Sequence, residues 1–112
     1  MERKAIIIFG KEVSGKTTKA IEEAEKVGKY IFLSFKDIIN VGFGLGPLVL
    51  EKPDAVIVAE CPRLILDDHR IKGLITEDKL RVERKGKNPE LVPNVKWIFT
   101  ITHNRQLDII SV

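Results

Sequence analysis

Cysteine is almost absent from this chain: Cys61 is the only one in 112 residues. A single thiol cannot form an internal disulfide or build a zinc site. Long apolar runs are missing as well. The longest, residues 5–9 and 55–59, are far too short to span a bilayer. The charged start Met1-Glu2-Arg3-Lys4 leads into only five apolar residues, which does not make a signal peptide. There is no internal repeat and no low-complexity segment. Together these absences predict a soluble, cytoplasmic protein. A strong charge of one sign is lacking too: the net charge of +3 does not by itself argue for a nucleic-acid partner.

What is present is an ordinary globular balance, 44% apolar and 31% charged, too apolar for a disordered chain and too mixed for a fibrous one. The length fits one domain, residues 1–112, and all but excludes two. The basic character is local. Between His69 and Arg105 nine basic residues stand against four acidic ones. A binding surface needs such an excess; a solvated basic face is the alternative.

The order of elements points to a parallel α/β sheet. Ala5-Ile6-Ile7-Ile8-Phe9 lacks the alternation of a half-exposed strand and reads as a strand covered on both faces. A loop over 10–16 follows. A helix is expected over 17–29, with Ala20, Ile21, Ala24 and Val27 on one stripe and Gly28 as a natural stop. A second strand is expected over 30–35 and a short helix from 36. Residues 42–47, with three glycines and a proline, read as a loop. Their spacing does not match a dinucleotide fingerprint, because the third glycine comes one residue early. A third buried strand is expected over 55–59, ending at Glu60. A helix over 63–75 would follow, with Pro62 in its first turn. Residues 79–84 alternate as a strand with one wet face, and Lys85-Gly86-Lys87-Asn88-Pro89 is a turn. The last strand is expected over 95–102, ending in Thr102-His103-Asn104.

Chemistry enters with Gly10-Lys11-Glu12-Val13-Ser14-Gly15-Lys16-Thr17, which matches G-x-x-x-x-G-K-[ST] at every defined position. A buried strand precedes it and an amphipathic helix follows. Gly10 and Gly15 allow a tight loop whose backbone N–H groups, with those of Val13, Ser14, Lys16, Thr17 and Thr18, would converge on phosphate oxygens. The helix adds its positive N-terminal end. Lys16 supplies a mobile cation for the β- and γ-phosphates, and Thr17 a hydroxyl ligand for Mg²⁺. A chance match on a glycine-rich turn is the alternative.

An acid for the metal and the attacking water is expected at the end of another buried strand. Glu60 fits as general base or metal ligand, or it is an ordinary loop acid. Two adjacent acids are common at such a place, and here Ala59 stands where the first would be. At the carboxyl end of the last strand Asn104 is suited to orient water against a γ-phosphate, unless it merely turns the chain. His103 fits capping or packing as well as contact with substrate, and Cys61 and Trp97 read as packing residues.

Four stretches together resemble the core of superfamily III helicases, the replicative and primase-linked ATPases of viruses, phages and plasmids. They are residues 10–17, 56–60, 71–89 and 96–104, and the likeness runs from about residue 4 to 104. The third is the most telling: Ile71-Lys72-Gly73-Leu74-Ile75, the acidic Asp78, then Arg84-Lys85-Gly86-Lys87-Asn88-Pro89. The resemblance implies a P-loop NTPase with a mostly parallel sheet covered by helices and a basic strand or hairpin inserted before the last strand. It implies that Lys16 and Thr17 hold phosphate and magnesium, that Glu60 is the acid of the second motif, and that Asn104 senses the γ-phosphate. Arg81, Arg84, Lys85 and Lys87 correspond to the segment that contacts single-stranded DNA, and the family works as a homo-oligomeric ring. Two departures stand out. Ala59 removes one acid, and the chain stops at Val112, with Arg105 too close to the sensor to be an arginine finger. The expectation is therefore a fragment or a minimal member.

The leading expectation is an ATP- and Mg²⁺-binding domain with slow hydrolysis coupled to single-stranded nucleic acid. ATP is the default because no guanine-specific motif is present. The alternatives are a non-catalytic nucleotide-binding module of a phage or mobile element, and, last, a small phosphotransferase in which Lys85 or Arg81 grips a second phosphate.

Overall fold

The apolar run at the start forms β1, Ile6–Gly10, and the amphipathic stretch after it forms α1, Lys16–Val27. In this computed structural model the described residues are 5–11, 15–39, 43–62, 65–102 and 108–111, the side chains of Phe43 and Leu66 excepted. The remaining elements are β2 (Tyr30–Leu33), α2 (Phe35–Ile39), a 3₁₀ turn (Phe43–Leu45), α3 (Gly46–Glu51) and β3 (Ala55–Val58). A 3₁₀ turn (Ile65–Asp67), α4 (His69–Thr76), β4 (Lys79–Val82), β5 (Glu90–Pro93), β6 (Lys96–Thr102) and β7 (Asp108–Ser111) complete the series.

Five strands make one sheet in the order β2-β3-β6-β1-β7, and β4 and β5 form a separate hairpin. β2, β3, β6 and β1 run parallel, with Ile7 opposite Phe99 and Val58 also opposite Phe99; only β7 is antiparallel, on β1. The protein is thus α/β with a mostly parallel sheet, as the buried strands imply. Both faces are covered. α1 seals one with Ala20 and Ala24 against Ile6, Ile8, Ala55, Ile57 and Ile98. The larger core lies on the other face, where Ile7, Val56, Val58, Trp97 and Phe99 meet Ile38, Leu48, Ile71, Leu74, Leu80 and Val82. The hairpin therefore docks on the face away from α1. Its alternation holds: Leu80 and Val82 are buried, Lys79 and Arg81 exposed.

Several boundaries differ from expectation for identifiable reasons. The second strand stops at Leu33 rather than 35, because Ser34 and Asp37 exchange hydrogen bonds. Asp37 N–H donates to Ser34 Oγ at 3.1 Å and Ser34 N–H to Asp37 Oδ2 at 3.2 Å, a reciprocal cap that starts α2. The 42–47 stretch is no plain loop: from Phe43 it is a 3₁₀ turn leading into α3, whose first turn holds Pro47. Gly44 is required there, since a Cβ would fall on the Asp37 carbonyl. The single helix expected over 63–75 is replaced by a 3₁₀ turn and α4, because Asp68 accepts a hydrogen bond from Arg70 N–H at 2.9 Å and caps α4. β6 is not the last strand: β7 follows it, and β5, unassigned from the sequence, completes the hairpin. No helix among the described residues is long and apolar enough to cross a membrane.

Candidate functional site

The carboxyl ends of the parallel strands define the crevice in which open α/β sheets hold ligands. The chain leaves β1 toward β2 on one side and leaves β6 toward β7 on the other, so the switch point lies between β1 and β6. There Gly10 pairs with Thr102.

The loop springing from Gly10 enters α1 through Gly15, whose φ of 84° is left-handed backbone that glycine adopts at least cost. Among the described residues no side chain caps the helix at Gly15, and the first turn of such a helix presents N–H groups that an anionic acceptor can take up. Lys16 is only 5% exposed, and its Nζ donates to the Lys11 carbonyl at 2.6 Å. The ammonium is thus folded back over the loop's own backbone. Thr17 and Thr18 are exposed at the helix start. Val13 and Ser14 lie outside the described residues.

Glu60 sits one residue beyond Ala59, past the end of β3, with a φ of 55°. A non-glycine residue in this region is strained and needs support from its surroundings. The support comes from β6. Glu60 N–H donates to Thr100 Oγ1 at 3.2 Å, and Cys61 N–H to the Thr100 carbonyl at 2.9 Å. Thr102 Oγ1 donates to Glu60 Oε2 at 3.1 Å. Thr100 is buried and Glu60 exposed, so a buried hydroxyl fixes the backbone while the carboxylate reaches water. Cys61 donates to the Val58 carbonyl at 3.2 Å. Burial pushes its thiol up to about 12, with the Thr100 backbone contact opposing and the Glu60 charge adding to the rise. It is a packing residue, as expected.

Alternation along β6 puts Thr100 and Thr102 on the face of Ile98, which is the α1 face. The acid, the two threonines and the start of α1 therefore share one side of the sheet. Sequence reasoning noted the polar tail of β6 but gave these threonines no role. The available signal was their period of two within an apolar strand. Asn104 and His103 lie outside the described residues. No group of three or more His, Cys, Asp or Glu able to hold a metal occurs among the described residues.

The basic segment is elsewhere. Arg84 is engaged by Glu90 at 2.7 Å, and its stem passes 3.8 Å from where a Cβ on Gly46 would stand. It staples the hairpin shut and lies against α3. Arg81 faces water beside Glu83 at 3.5 Å. Lys85 and Lys87, in the turn closed by Lys87 N–H on the Arg84 carbonyl at 3.0 Å, are exposed and make no ion pair among the described residues. These cations do not converge with Lys16, because the hairpin packs on the opposite face from α1. No known family model matches the chain, and comparison with curated proteins finds no match.

Proposed function

We propose that the chain is a P-loop nucleotide-binding domain of the superfamily III helicase type, which takes ATP with Mg²⁺ and hydrolyses it slowly. One observation carries this reading. The 10–17 motif leaves β1 at the switch point and runs into α1 through left-handed Gly15, with Lys16 folded onto the loop's own Lys11 carbonyl. A phosphate is the natural replacement for that carbonyl, since its anionic oxygens add charge–charge attraction that a neutral carbonyl cannot give the ammonium.

The residues fit a bound magnesium nucleotide. Lys16 would leave Lys11 and grip the β- and γ-phosphates, while the first-turn amides of α1 hold the remaining oxygens. Thr17 would hold the metal by its hydroxyl, with Glu60 facing it from β3. Bound Mg²⁺ would neutralise charge as the γ-phosphoryl transfers. Glu60 would take the proton of a water whose oxygen bonds to phosphorus as the bridging P–O bond breaks. Asn104 completes this set in the resemblance. Ala59 deprives the metal of a second acid, so turnover is slow. Lys85 and Lys87, with Arg81, would hold the backbone of single-stranded DNA without strong sequence preference. Copies of the chain would assemble as a ring.

The test is binding and hydrolysis of ATP with Mg²⁺, with and without single-stranded DNA, against Lys16→Ala. Binding lost in the variant and turnover raised by DNA support the reading; wild type indistinguishable from the variant overturns it. Apolar Ala59 favours a second reading, a nucleotide-binding module without turnover, which binding alone would support. No observation favours the phosphotransferase reading, since Arg81 and Lys85 belong to a hairpin packed on the face away from α1.

A further inference from the structure

The left-handed backbone at Glu60 is held by specific bonds to β6. The residue after β3 could continue extended, as Ala59 permits. Instead the chain turns into left-handed backbone at Glu60 and is tied to β6 by three hydrogen bonds in a row. Two of the three use threonine hydroxyls spaced two apart on one strand face. Valine would fill the buried position of Thr100 equally well, among the apolar Trp97, Ile98, Phe99 and Ile101, while Thr102 stands exposed at the strand's end with its hydroxyl on the Glu60 carboxylate. The hydroxyls are therefore the informative part of the two side chains.

We propose that Thr102 is a positioning residue for Glu60, holding its carboxylate at the β1/β6 crevice by the Oγ1–Oε2 hydrogen bond, while Thr100 anchors the backbone of the corner. This rests on the phosphate-site reading above and adds to it how the acid is aimed. Thr102 pairs with Gly10, where the phosphate loop begins. One hydroxyl thus links the carboxylate to the strand position opposite the loop's origin. Adjacent strands are about 4.8 Å apart, so the acid on β3 stands two spacings from β1, and a side chain on the strand between them is the natural bridge. Thr102 does not touch the reacting atoms. It fixes one oxygen of Glu60 and leaves the other for water or metal. Without it the exposed carboxylate would sample several rotamers, and the attacking water would lose its alignment.

The experiment compares Thr102→Val, which keeps shape and loses the hydroxyl, with Thr102→Ser, which restores it. Nucleotide affinity, its Mg²⁺ dependence and single-turnover hydrolysis are measured, with the labelling rate of Cys61, buried beside the corner, as a reporter of local structure. Thr102→Val is expected to bind nucleotide within about twofold of wild type and to hydrolyse it about tenfold more slowly, below the hundredfold or more of losing the base itself. Thr102→Ser should recover most of that loss, and Cys61 should label at the wild-type rate in both variants, because Thr100 still anchors the corner; faster labelling in Thr102→Val would make the loss structural and overturn the proposal. Equal turnover in wild type and Thr102→Val, or equal loss in both variants, overturns the proposal. If wild type binds nucleotide without turnover, the Mg²⁺ requirement decides: a rise of about threefold or more in Thr102→Val supports it, and no change overturns it. Failure of the phosphate-site reading is seen separately, as wild type binding no better than Lys16→Ala, and it would remove the role assigned here.

Discussion

Trp97 donates its indole N–H to the Asn94 side-chain oxygen across 2.8 Å, and both residues are closed to water. The same oxygen accepts Val95 N–H at 2.8 Å, and the Asn94 amide donates to the Leu74 and Glu77 carbonyls at 2.7 Å each. One side chain thereby joins the end of α4, the root of the hairpin and the start of β6. All four hydrogen-bonding positions are used. Asn94→Leu would take the Asn94 partner from a buried indole N–H, the Val95 N–H and two carbonyls, and an orphaned buried group costs about 1–3 kcal/mol in other proteins. The expected loss is about 3 kcal/mol, or roughly 12 °C in Tm for a domain of this size. Urea and heat unfolding measure it; a loss below about 1 kcal/mol would mean that water replaces the amide.

Two glycines give opposite predictions for the same change. Gly44→Ala would drive a methyl into the Asp37 carbonyl, a backbone atom that cannot swing aside, and should destabilise by about 3 kcal/mol. Gly73 lies inside α4 with open space where a Cβ would stand. Gly73→Ala should stabilise by about 0.5–1 kcal/mol through helix propensity. Chemical denaturation of both variants checks the pair of signs.

The cap of α4 has a definite pH signature. The Arg70 guanidinium and backbone N–H hold Asp68 at about 2, below its ordinary 3.8. Folding lowers this pKa, so the contribution is complete above about 3.8 and is lost as pH falls to about 2. Asp68→Asn keeps a capping oxygen and removes the charge. Its stability should lie below wild type at pH 6 and converge with it by pH 2, as read from urea melts across that range. Parallel curves would show that the ion pair contributes nothing.

Salt dependence separates the hairpin cations by their partners. Lys85 and Lys87 are exposed and make no ion pair among the described residues, so each can neutralise one phosphate. Lys85→Ala with Lys87→Ala should reduce the slope of log K against log salt for single-stranded DNA by about 1.4, at 0.7 per phosphate. Arg84→Ala should change the slope less and loosen the hairpin instead, since Glu90 already holds the guanidinium at 2.7 Å. Fluorescence titrations at several salt concentrations distinguish the two, and an unchanged slope in the double variant would remove the turn from the interface.

The elements that the sequence made legible are those whose signal is local. β1 and β3 are uninterrupted apolar runs, α1 carries an apolar stripe, and β4 alternates. Each pattern reflects a burial that one element alone dictates. What was not legible depended on partners distant in the chain. Gly44 has meaning only beside Asp37, and Asn94 only once Leu74, Glu77 and Trp97 surround it. β7 is four residues long and gains its place by lying against β1. The Ser34–Asp37 exchange was local and readable, yet the apolar run through Phe35 concealed it. At the candidate site, motif spacing singled out Lys16 and Thr17, and the end of a buried apolar run singled out Glu60. The threonines that tie Glu60 to β6 needed the strand order, because they act across 40 residues of sequence.

β6 also has a mechanical consequence. Its seven residues span about 23 Å, from the Asn94 junction at one end to the Thr102–Glu60 bond at the other. Hydrogen-bonded neighbours on both sides, β3 and β1, oppose any sliding along its axis. A tug on the hairpin therefore cannot be absorbed by local bending at its root, where the amide of Asn94 is bonded on every side. The strand behaves as a taut rod, and the load emerges at its far tip, on the opposite face of the sheet.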